Sequence, residues 1–122
     1  MDTNLDIKMN GKPLTPAIHL IQIEGEIDIY TVPTLKHFAL GIIDEGYSFL
    51  VLNLDGVKFI DSTGLGMMIG LSKRLIERSG KLSLICNNFQ IKKLLYITGL
   101  DEVFHVFSNE EEALKALDSV KQ

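Results

Sequence analysis

The stretch that decides the fold is Phe49-Leu50-Val51-Leu52-Asn53-Leu54, a nearly continuous apolar run in the 122-residue chain. A short run of this kind is typical of a strand buried in a parallel sheet. It is flanked by two helical patterns. The second is predicted from Ser62 to about Arg78, with Gly80 as its stop. The first follows Thr31, a candidate N-cap, and places these apolar residues at helical spacing: Leu35, Phe38, Ala39, Ile42 and Ile43.

Toward the N-terminus, two more strands are predicted. Leu5, Ile7 and Met9 alternate with polar residues, as in a strand that is buried on one face. The segment 11–16 reads as a turn, because its two prolines cannot donate ladder hydrogen bonds. The strand that begins at Ile18 is apolar in part on both faces, so we expect it to be covered on both sides. Because only a turn joins these two strands, they can pair antiparallel.

Toward the C-terminus, strands and helices continue to alternate. The sequence predicts a strand over Leu82 to Cys86, a helix capped by Asn88 and ended by Gly99, and a last strand over 103–107. The Ser-x-x-Glu pattern at 108–111 has the form of a capping box and opens a final helix. We therefore predict one α/β domain over residues 1–122, with a mixed, mostly parallel sheet, an N-terminal antiparallel strand pair and about four helices.

Composition and charge argue against several classes of function. The net charge of −4, with 16 acidic and 12 basic residues, disfavours a nucleic-acid partner, which needs a basic face. The lone Cys86 cannot form an intramolecular disulfide or a cysteine zinc site, and the histidines lack metal-ligand spacing. No apolar run approaches the roughly 20 residues that cross a bilayer, and residues 1–8 do not resemble a signal peptide. We expect a cytoplasmic protein without a metal, a cofactor or a membrane association.

The most informative stretch for function is Phe59-Ile60-Asp61-Ser62-Thr63-Gly64-Leu65-Gly66. It places the hydroxyls of Ser62 and Thr63 at a helix start, where unpaired amides and the helix dipole favour a negative group. Gly64 and Gly66 keep the first turn free of bulky side chains, so that another backbone can approach closely. Ser62 is therefore a chemically sensible phosphate acceptor. The alternative is that Ser62 is only the N-cap of the helix, the commonest role of a serine in this place.

Further motifs accompany this stretch in a fixed order. They are Gly25-Glu26-Ile27-Asp28-Ile29-Tyr30-Thr31 with Pro33, Leu52-Asn53-Leu54-Asp55-Gly56-Val57, and Ile97-Thr98-Gly99-Leu100 with Phe104. In order and spacing, the set resembles the anti-sigma factor antagonist family, whose fold is called the STAS domain. The resemblance covers about Ile18 to Leu117 and implies a fold of the STAS type.

The resemblance also implies a function in partner switching. In this family, the unphosphorylated antagonist binds an anti-sigma factor that is a serine kinase, and the sigma factor is released. The kinase phosphorylates the antagonist with ATP, the two proteins separate, and a phosphatase resets the antagonist. The acceptor in the family is the first hydroxyl residue after the motif aspartate, which corresponds to Ser62, with Thr63 as the second candidate. The alternative function is that of a STAS scaffold module in a larger signalling complex.

We expect the partner to bind around Ser62. A helical wheel puts Met67 and Leu71 off the core face as a docking patch, although this pair could equally pack on a neighbouring helix. Asp28 and Asp61 could orient the serine hydroxyl or shape an acidic edge; otherwise they are turn and cap residues. The predicted core face of the helix holds Leu65, Met68, Ile69, Ser72, Leu75 and Ile76. The predicted partner-binding residues are Asp28, Asp61, Thr63, Gly64, Leu65, Gly66, Met67 and Leu71.

The sequence gives no support to the enzyme classes that use similar residues. A serine hydrolase needs a Gly-x-Ser-x-Gly elbow and a histidine base; the elbow is absent, and no histidine lies near Ser62 in sequence. The Gly-x-x-x-x-Gly-Lys loop of an ATPase is absent as well. A receiver domain with Asp55 as acceptor would need an acidic pair after the first strand and a late lysine, and neither is evident. We expect that the chain is not an enzyme.

Overall fold

The computed structural model describes residues 6–120, and in this range a five-stranded sheet alternates with helices as predicted. The strands lie in the sheet in their chain order; the first pair is antiparallel and the other pairs are parallel. The predicted fold class is therefore confirmed. No helix in the described range is long and apolar enough to span a membrane. The elements are β1 (Ile7–Pro13), β2 (Ile18–Ile27), α1 (Val32–Asp44), β3 (Phe49–Ile60), α2 (Ser62–Ile76), β4 (Lys81–Ile85), α3 (Phe89–Thr98), β5 (His105–Phe107) and α4 (Glu110–Val120).

Two apolar cores lie on opposite faces of the sheet. α1, α2 and α3 connect adjacent parallel strands and lie on one face of the sheet, where they form the first core. α4 follows the last strand and therefore does not connect two strands. It covers the second core on the other face of the sheet. On β2, Ile21 and Ile23 belong to the first core, whereas Ile18 and Leu20 belong to the second. The predicted covering of β2 on both sides is thus confirmed.

Two strands extend beyond their predicted ends. β1 continues to Pro13, where the sequence predicts a turn; a residue without an amide hydrogen is tolerated there because β1 is an edge strand. β3 continues to Ile60, because its second half pairs with residues 24–27 of β2 despite two shifts in the register, one before Glu24 and one between Gly25 and Glu26. Residues 55–60, which follow the apolar run 49–54, therefore belong to the strand, and α2 begins at Ser62. Leu5, the first predicted strand residue, lies outside the described range.

The caps of the last two helices test the predicted helix starts. Asn88 accepts hydrogen bonds from two amides of the first turn of α3, and Gly99 ends that helix with a left-handed backbone (φ 75°), so both predictions are confirmed. The capping box predicted at 108–111 is wrong by one position. Asn109 accepts a hydrogen bond from the Glu112 amide at 2.8 Å and caps α4 instead. Asparagine and serine cap helices about equally well, so the pattern alone could not select between adjacent positions.

Candidate switch site at the start of α2

The candidate site lies where the carboxyl ends of β2 and β3 meet. β2 ends at Ile27 and is followed by the segment 28–31, whereas β3 ends at Ile60 and leads directly into α2. The Asp61 amide donates a hydrogen bond to the Ile27 carbonyl at 3.1 Å, which holds the start of α2 against the end of β2. Partners of parallel sheets often bind at this edge. The two segments that carry the predicted partner-binding residues Asp28 and Asp61 are thus neighbours in the fold.

Asp61 joins these two segments through its side chain. It is the N-cap of α2, with an extended backbone (φ −99°, ψ −176°). Its Oδ1 atom accepts hydrogen bonds from the Gly64 amide at 3.0 Å and from the Thr63 hydroxyl at 2.5 Å, and its Oδ2 atom accepts one from the Ile29 amide at 3.1 Å. The hydrogen bond from Thr63 is the main cause that lowers the pKa of Asp61, with further lowering by the amides. The carboxylate is therefore ionised at neutral pH.

The two hydroxyls at the start of α2 differ in their contacts. Ser62 is the first residue of the helix, is exposed, and has no side-chain hydrogen-bond partner among residues 6–120. Thr63 is exposed as well, but its hydroxyl donates to Asp61. The alternative in which Ser62 is the N-cap is wrong, because Asp61 holds that position. Ser62 therefore presents a free hydroxyl at a helix start, where an added negative group is favoured.

The two glycines of the motif have different surroundings. Gly64 is buried, and a Cβ atom on it would lie 2.8 Å from Cγ2 of Ile27 and 2.9 Å from Cγ2 of Ile60. Its small size thus lets the first turn of α2 pack on the strand ends, which gives Gly64 a packing role, and its contact with a partner stays a prediction. Gly66 is exposed with open space around it, as close approach by a partner requires. Leu65, between them, is half-buried against the first core.

Asp28 shapes the segment that follows β2. Its Oδ1 atom accepts hydrogen bonds from the amides of Tyr30 at 2.9 Å and Thr31 at 3.0 Å. The Thr31 hydroxyl accepts from the Asp28 amide at 2.9 Å and donates to the Glu26 carbonyl at 2.8 Å. Thr31 occupies the predicted N-cap position of α1 but makes no side-chain cap bond there. Of the two roles left open for Asp28, the structure shows the turn role, and Asp28 does not bond to Ser62 within the described range.

Three exposed apolar side chains near the site were missed by the sequence analysis. Ile29 is 60% exposed, Tyr30 77% and Phe59 50%, in the two segments that flank Ser62. We call these three residues the apolar rim. For Ile29 and Tyr30 a signal was available, because surface turns normally carry small or polar residues and not bulky apolar ones. Exposed aromatic groups of this kind are common anchors of protein interfaces.

The prediction that Met67 and Leu71 lie off the core face is wrong. Met67 is 6% exposed and Leu71 2%, and both belong to the first core. The buried face of α2 begins at Gly64 and not at Leu65, so it is displaced by about one position from the predicted core face. Because glycine has no side chain, Gly64 does not indicate a buried face in a helical wheel, and the predicted rotation of α2 about its axis is wrong for this reason. The residues on the buried face are Gly64, Met67, Met68, Leu71, Ser72 and Leu75.

Asp55 is engaged with a different part of the same sheet edge. Its carboxylate accepts hydrogen bonds from the Asn87 amide at 2.8 Å and from the Asn87 side-chain amide at 3.1 Å. The same Asn87 side chain donates to the Ser108 carbonyl at 2.9 Å. These contacts join β3 to the segments that precede α3 and α4. Asp55 therefore has a structural role and is not part of the site around Ser62.

Known proteins match most of the length of this chain. The family model of the STAS domain matches residues 12–113. The anti-sigma-B factor antagonist of Staphylococcus aureus (strain NCTC 8325 / PS 47) is 34% identical over 91 residues, which are 75% of this chain and 84% of that protein. The family match includes the segment from β2 through α3 that builds the site.

Solved structures share the fold. An anti-sigma factor antagonist from Mycobacterium paratuberculosis has a TM-score of 0.84 at 22% identity, over 97% of this chain and 99% of that chain. The anti-sigma factor antagonist SpoIIAA has a TM-score of 0.79 in its unphosphorylated form, at 21% identity, over 92% and 97% of the two chains. Phosphorylated SpoIIAA from Bacillus has a TM-score of 0.71 at 23% identity, over 89% and 98%. The family match and the Staphylococcus relative go further than the fold: the chain belongs to the STAS domain family and, within it, to the anti-sigma factor antagonists.

Proposed function

We propose that this chain works by partner switching. In its unphosphorylated form it binds an anti-sigma factor that is a serine kinase, and the sigma factor is released. The kinase then transfers phosphate from ATP to Ser62, the complex separates, and a phosphatase that dephosphorylates Ser62 restores binding. In this proposal the chain acts in the cytoplasm, performs no catalysis itself, and contacts neither nucleic acid nor a membrane.

The observation that carries the proposal is the free hydroxyl of Ser62. It is exposed, stands at the first position of α2, and is not engaged by any described residue. The rigidly held Asp61 and the apolar rim beside it supply a defined surface on which a partner can bind. The structural neighbour SpoIIAA is known in an unphosphorylated and a phosphorylated form, which supports a phosphorylation switch on this fold.

The switch follows from the charge that phosphate adds. A phosphoserine carries roughly −1.5 to −2 charges at neutral pH, and the helix start can bear them because its amides and dipole favour an anion. A partner surface pressed against Ser62 must instead desolvate that charge or leave it unpaired. A penalty of about 3 kcal/mol weakens binding more than a hundredfold, since each ~1.4 kcal/mol is a factor of ten.

The test uses the cognate anti-sigma kinase, labelled ATP and peptide mapping. We expect label on Ser62 of the wild type and no label on Ser62→Ala, which still binds the kinase. Ser62→Asp should stay folded and lose the kinase. Thr63→Ala should still be labelled on Ser62.

Ser108→Asp is the matched control, because Ser108 is an exposed serine at the same edge of the sheet, just before another helix. It should bind the kinase as the wild type does. If a competent kinase binds the wild type and labels neither hydroxyl of the motif, the switch is refuted and a plain scaffold domain is favoured.

A further inference from the structure

The two adjacent hydroxyls of the site differ in one contact. Thr63 Oγ1 donates its hydrogen to Oδ1 of Asp61 at 2.5 Å, whereas the Ser62 hydroxyl has no partner among the described residues. Both side chains are exposed, so burial does not distinguish them. The carboxylate that engages Thr63 is itself held in place by the amides of Gly64 and Ile29. The Thr63 hydroxyl is therefore hydrogen-bonded to a carboxylate that is charged and fixed in position.

This contact has two consequences for phosphoryl transfer. The γ-phosphoryl group of ATP forms a bond to the attacking hydroxyl oxygen while its bond to the β-phosphate oxygen breaks and ADP leaves; the hydroxyl proton passes to a base of the kinase. The Thr63 proton already points at Asp61 and is not offered to that base. A phosphoryl group arriving at Thr63 Oγ1 would also meet the negative charge of Asp61 at close range, which is unfavourable. Because the Ser62 hydroxyl makes no hydrogen bond to Asp61, neither restriction acts on it through such a contact.

We propose that Asp61 is a positioning residue that selects the phosphoacceptor: it withholds the Thr63 hydroxyl and leaves Ser62 as the hydroxyl that reacts. The inference rests on the proposed function, since it assumes a kinase that phosphorylates this motif. It assigns to Asp61 a role beyond capping α2, because a cap alone would not decide which of two hydroxyls accepts phosphate. The lowered pKa of Asp61 agrees with this role, since the carboxylate keeps its charge at neutral pH.

The test is made in the Ser62→Ala background, where Thr63 is the remaining hydroxyl of the motif. The full-length variants are incubated with the cognate kinase and labelled ATP, and the label is mapped by mass spectrometry. We expect Ser62→Ala to stay unlabelled and Ser62→Ala/Asp61→Ala to be labelled on Thr63. The expected gain is roughly tenfold or more, the rate effect of removing one charge-assisted contact. Ser62→Ala/Asp61→Asn keeps a good N-cap and an acceptor oxygen for Thr63 and removes only the charge, so it should show a smaller gain of label on Thr63 even where the alanine variant unfolds.

Asp55→Ala in the same background is the matched control. Asp55 also accepts hydrogen bonds from a neighbouring segment but does not contact Thr63, so this double variant should stay unlabelled. If the Ser62→Ala variant, in which Asp61 is intact, is labelled on Thr63, the inference is overturned and the proposed function still stands. If neither Asp61 double variant is labelled on Thr63, although circular dichroism shows that at least one of them is folded, the inference is overturned as well. Absence of label on the wild type refutes the proposed function and the inference together.

Discussion

The Ile29 amide donates a hydrogen bond to Oδ2 of Asp61 at 3.1 Å, across 32 positions of sequence. The other oxygen of the same carboxylate caps α2 through the Gly64 amide. One ionised side chain therefore holds the segment that carries Ile29 and Tyr30 and the helix start that carries Ser62 in a single arrangement. The apolar rim residues Ile29 and Tyr30 are thereby held at a fixed position relative to Ser62.

The charge of Asp61 should make a pH-dependent contribution to stability. The native contacts lower its pKa, so the contribution is present above the unfolded value of about 3.9 and is lost as the pH falls through the lower folded value. Asp61→Asn keeps the cap but not the charge and should be less stable than the wild type at neutral pH. The difference should shrink in urea unfolding curves recorded from about pH 7 to about pH 3. A difference that stays constant over this range would assign the effect to shape and not to charge.

The first core should be sensitive at Leu52 and insensitive at Phe38. Leu52 is completely buried at the centre of β3, so Leu52→Ala should cost roughly 2–5 kcal/mol. Phe38 is expected from the sequence to share that core, but it is 36% exposed in the middle of α1. Phe38→Ala should therefore cost clearly less than Leu52→Ala in denaturant unfolding. Equal losses would place Phe38 inside the core after all.

The phase of α2 can be tested with one charge on each side of the helix. Met67→Asp would bury a carboxylate in the first core, where it has no partner, and should unfold the protein or lower its thermal midpoint strongly. Ile76→Asp on the same helix should have little effect, since Ile76 is 62% exposed. Thermal melts followed by circular dichroism distinguish the two. A stable, folded Met67→Asp variant would restore the face that the helical wheel assigned to Met67.

The parts of the fold that could be predicted are those fixed by local patterns. The apolar run at 49–54 identifies β3, and the apolar residues at helical spacing after Thr31 identify α1. Both patterns arise because buried positions of a strand or helix are occupied by apolar residues at regular intervals. The length of β3 could not be predicted, since Asp55 and Gly56 look like a turn. They remain in the strand because β2 provides a pairing partner as far as Ile27.

The candidate site was predictable as a location but not as a set of contacts. The motif places Ser62 at the helix start, and the structure agrees. Which hydroxyl is free depends on the carboxylate of Asp61, whose second oxygen binds an amide from a distant segment. No spacing rule shows such a contact. The buried face of α2 was missed for a related reason, because Gly64 packs closely against two strands without a side chain that would reveal it.

The apolar rim should contribute to binding and not to folding. Tyr30 is 77% exposed, and aromatic residues of this kind often dominate interface energetics. Tyr30→Ala should weaken binding of the anti-sigma kinase roughly tenfold or more, with an unchanged thermal midpoint. Tyr96 on α3 is 73% exposed and lies outside the rim, so Tyr96→Ala is the matched control and should bind normally. Equal effects of both variants in a calorimetric titration would remove the rim from the proposed interface.

The two glycines of the motif should respond to alanine in opposite directions. A Cβ atom at Gly64 would be 2.8 Å from one isoleucine methyl and 2.9 Å from another, both held in the core, so Gly64→Ala should cost about 1–3 kcal/mol through overpacking. Gly66 has open space around it and lies inside α2, so Gly66→Ala should stabilise the fold by roughly 0.5–1 kcal/mol through helix propensity. Both values are read from urea unfolding.

The same Gly66→Ala variant tests where the partner approaches. Gly66 is one helical turn beyond Ser62 and both residues are exposed, so a partner that covers Ser62 should come close to the backbone at Gly66. An added methyl group would then separate the two surfaces, and kinase binding should weaken although the free protein is more stable. Gly70→Ala, one turn farther along and also in open space, is the control and should gain stability without losing affinity. If Gly66→Ala gains stability and binds as tightly as the wild type, the partner does not approach α2 at that turn. The contact would then have to lie on the side of the apolar rim.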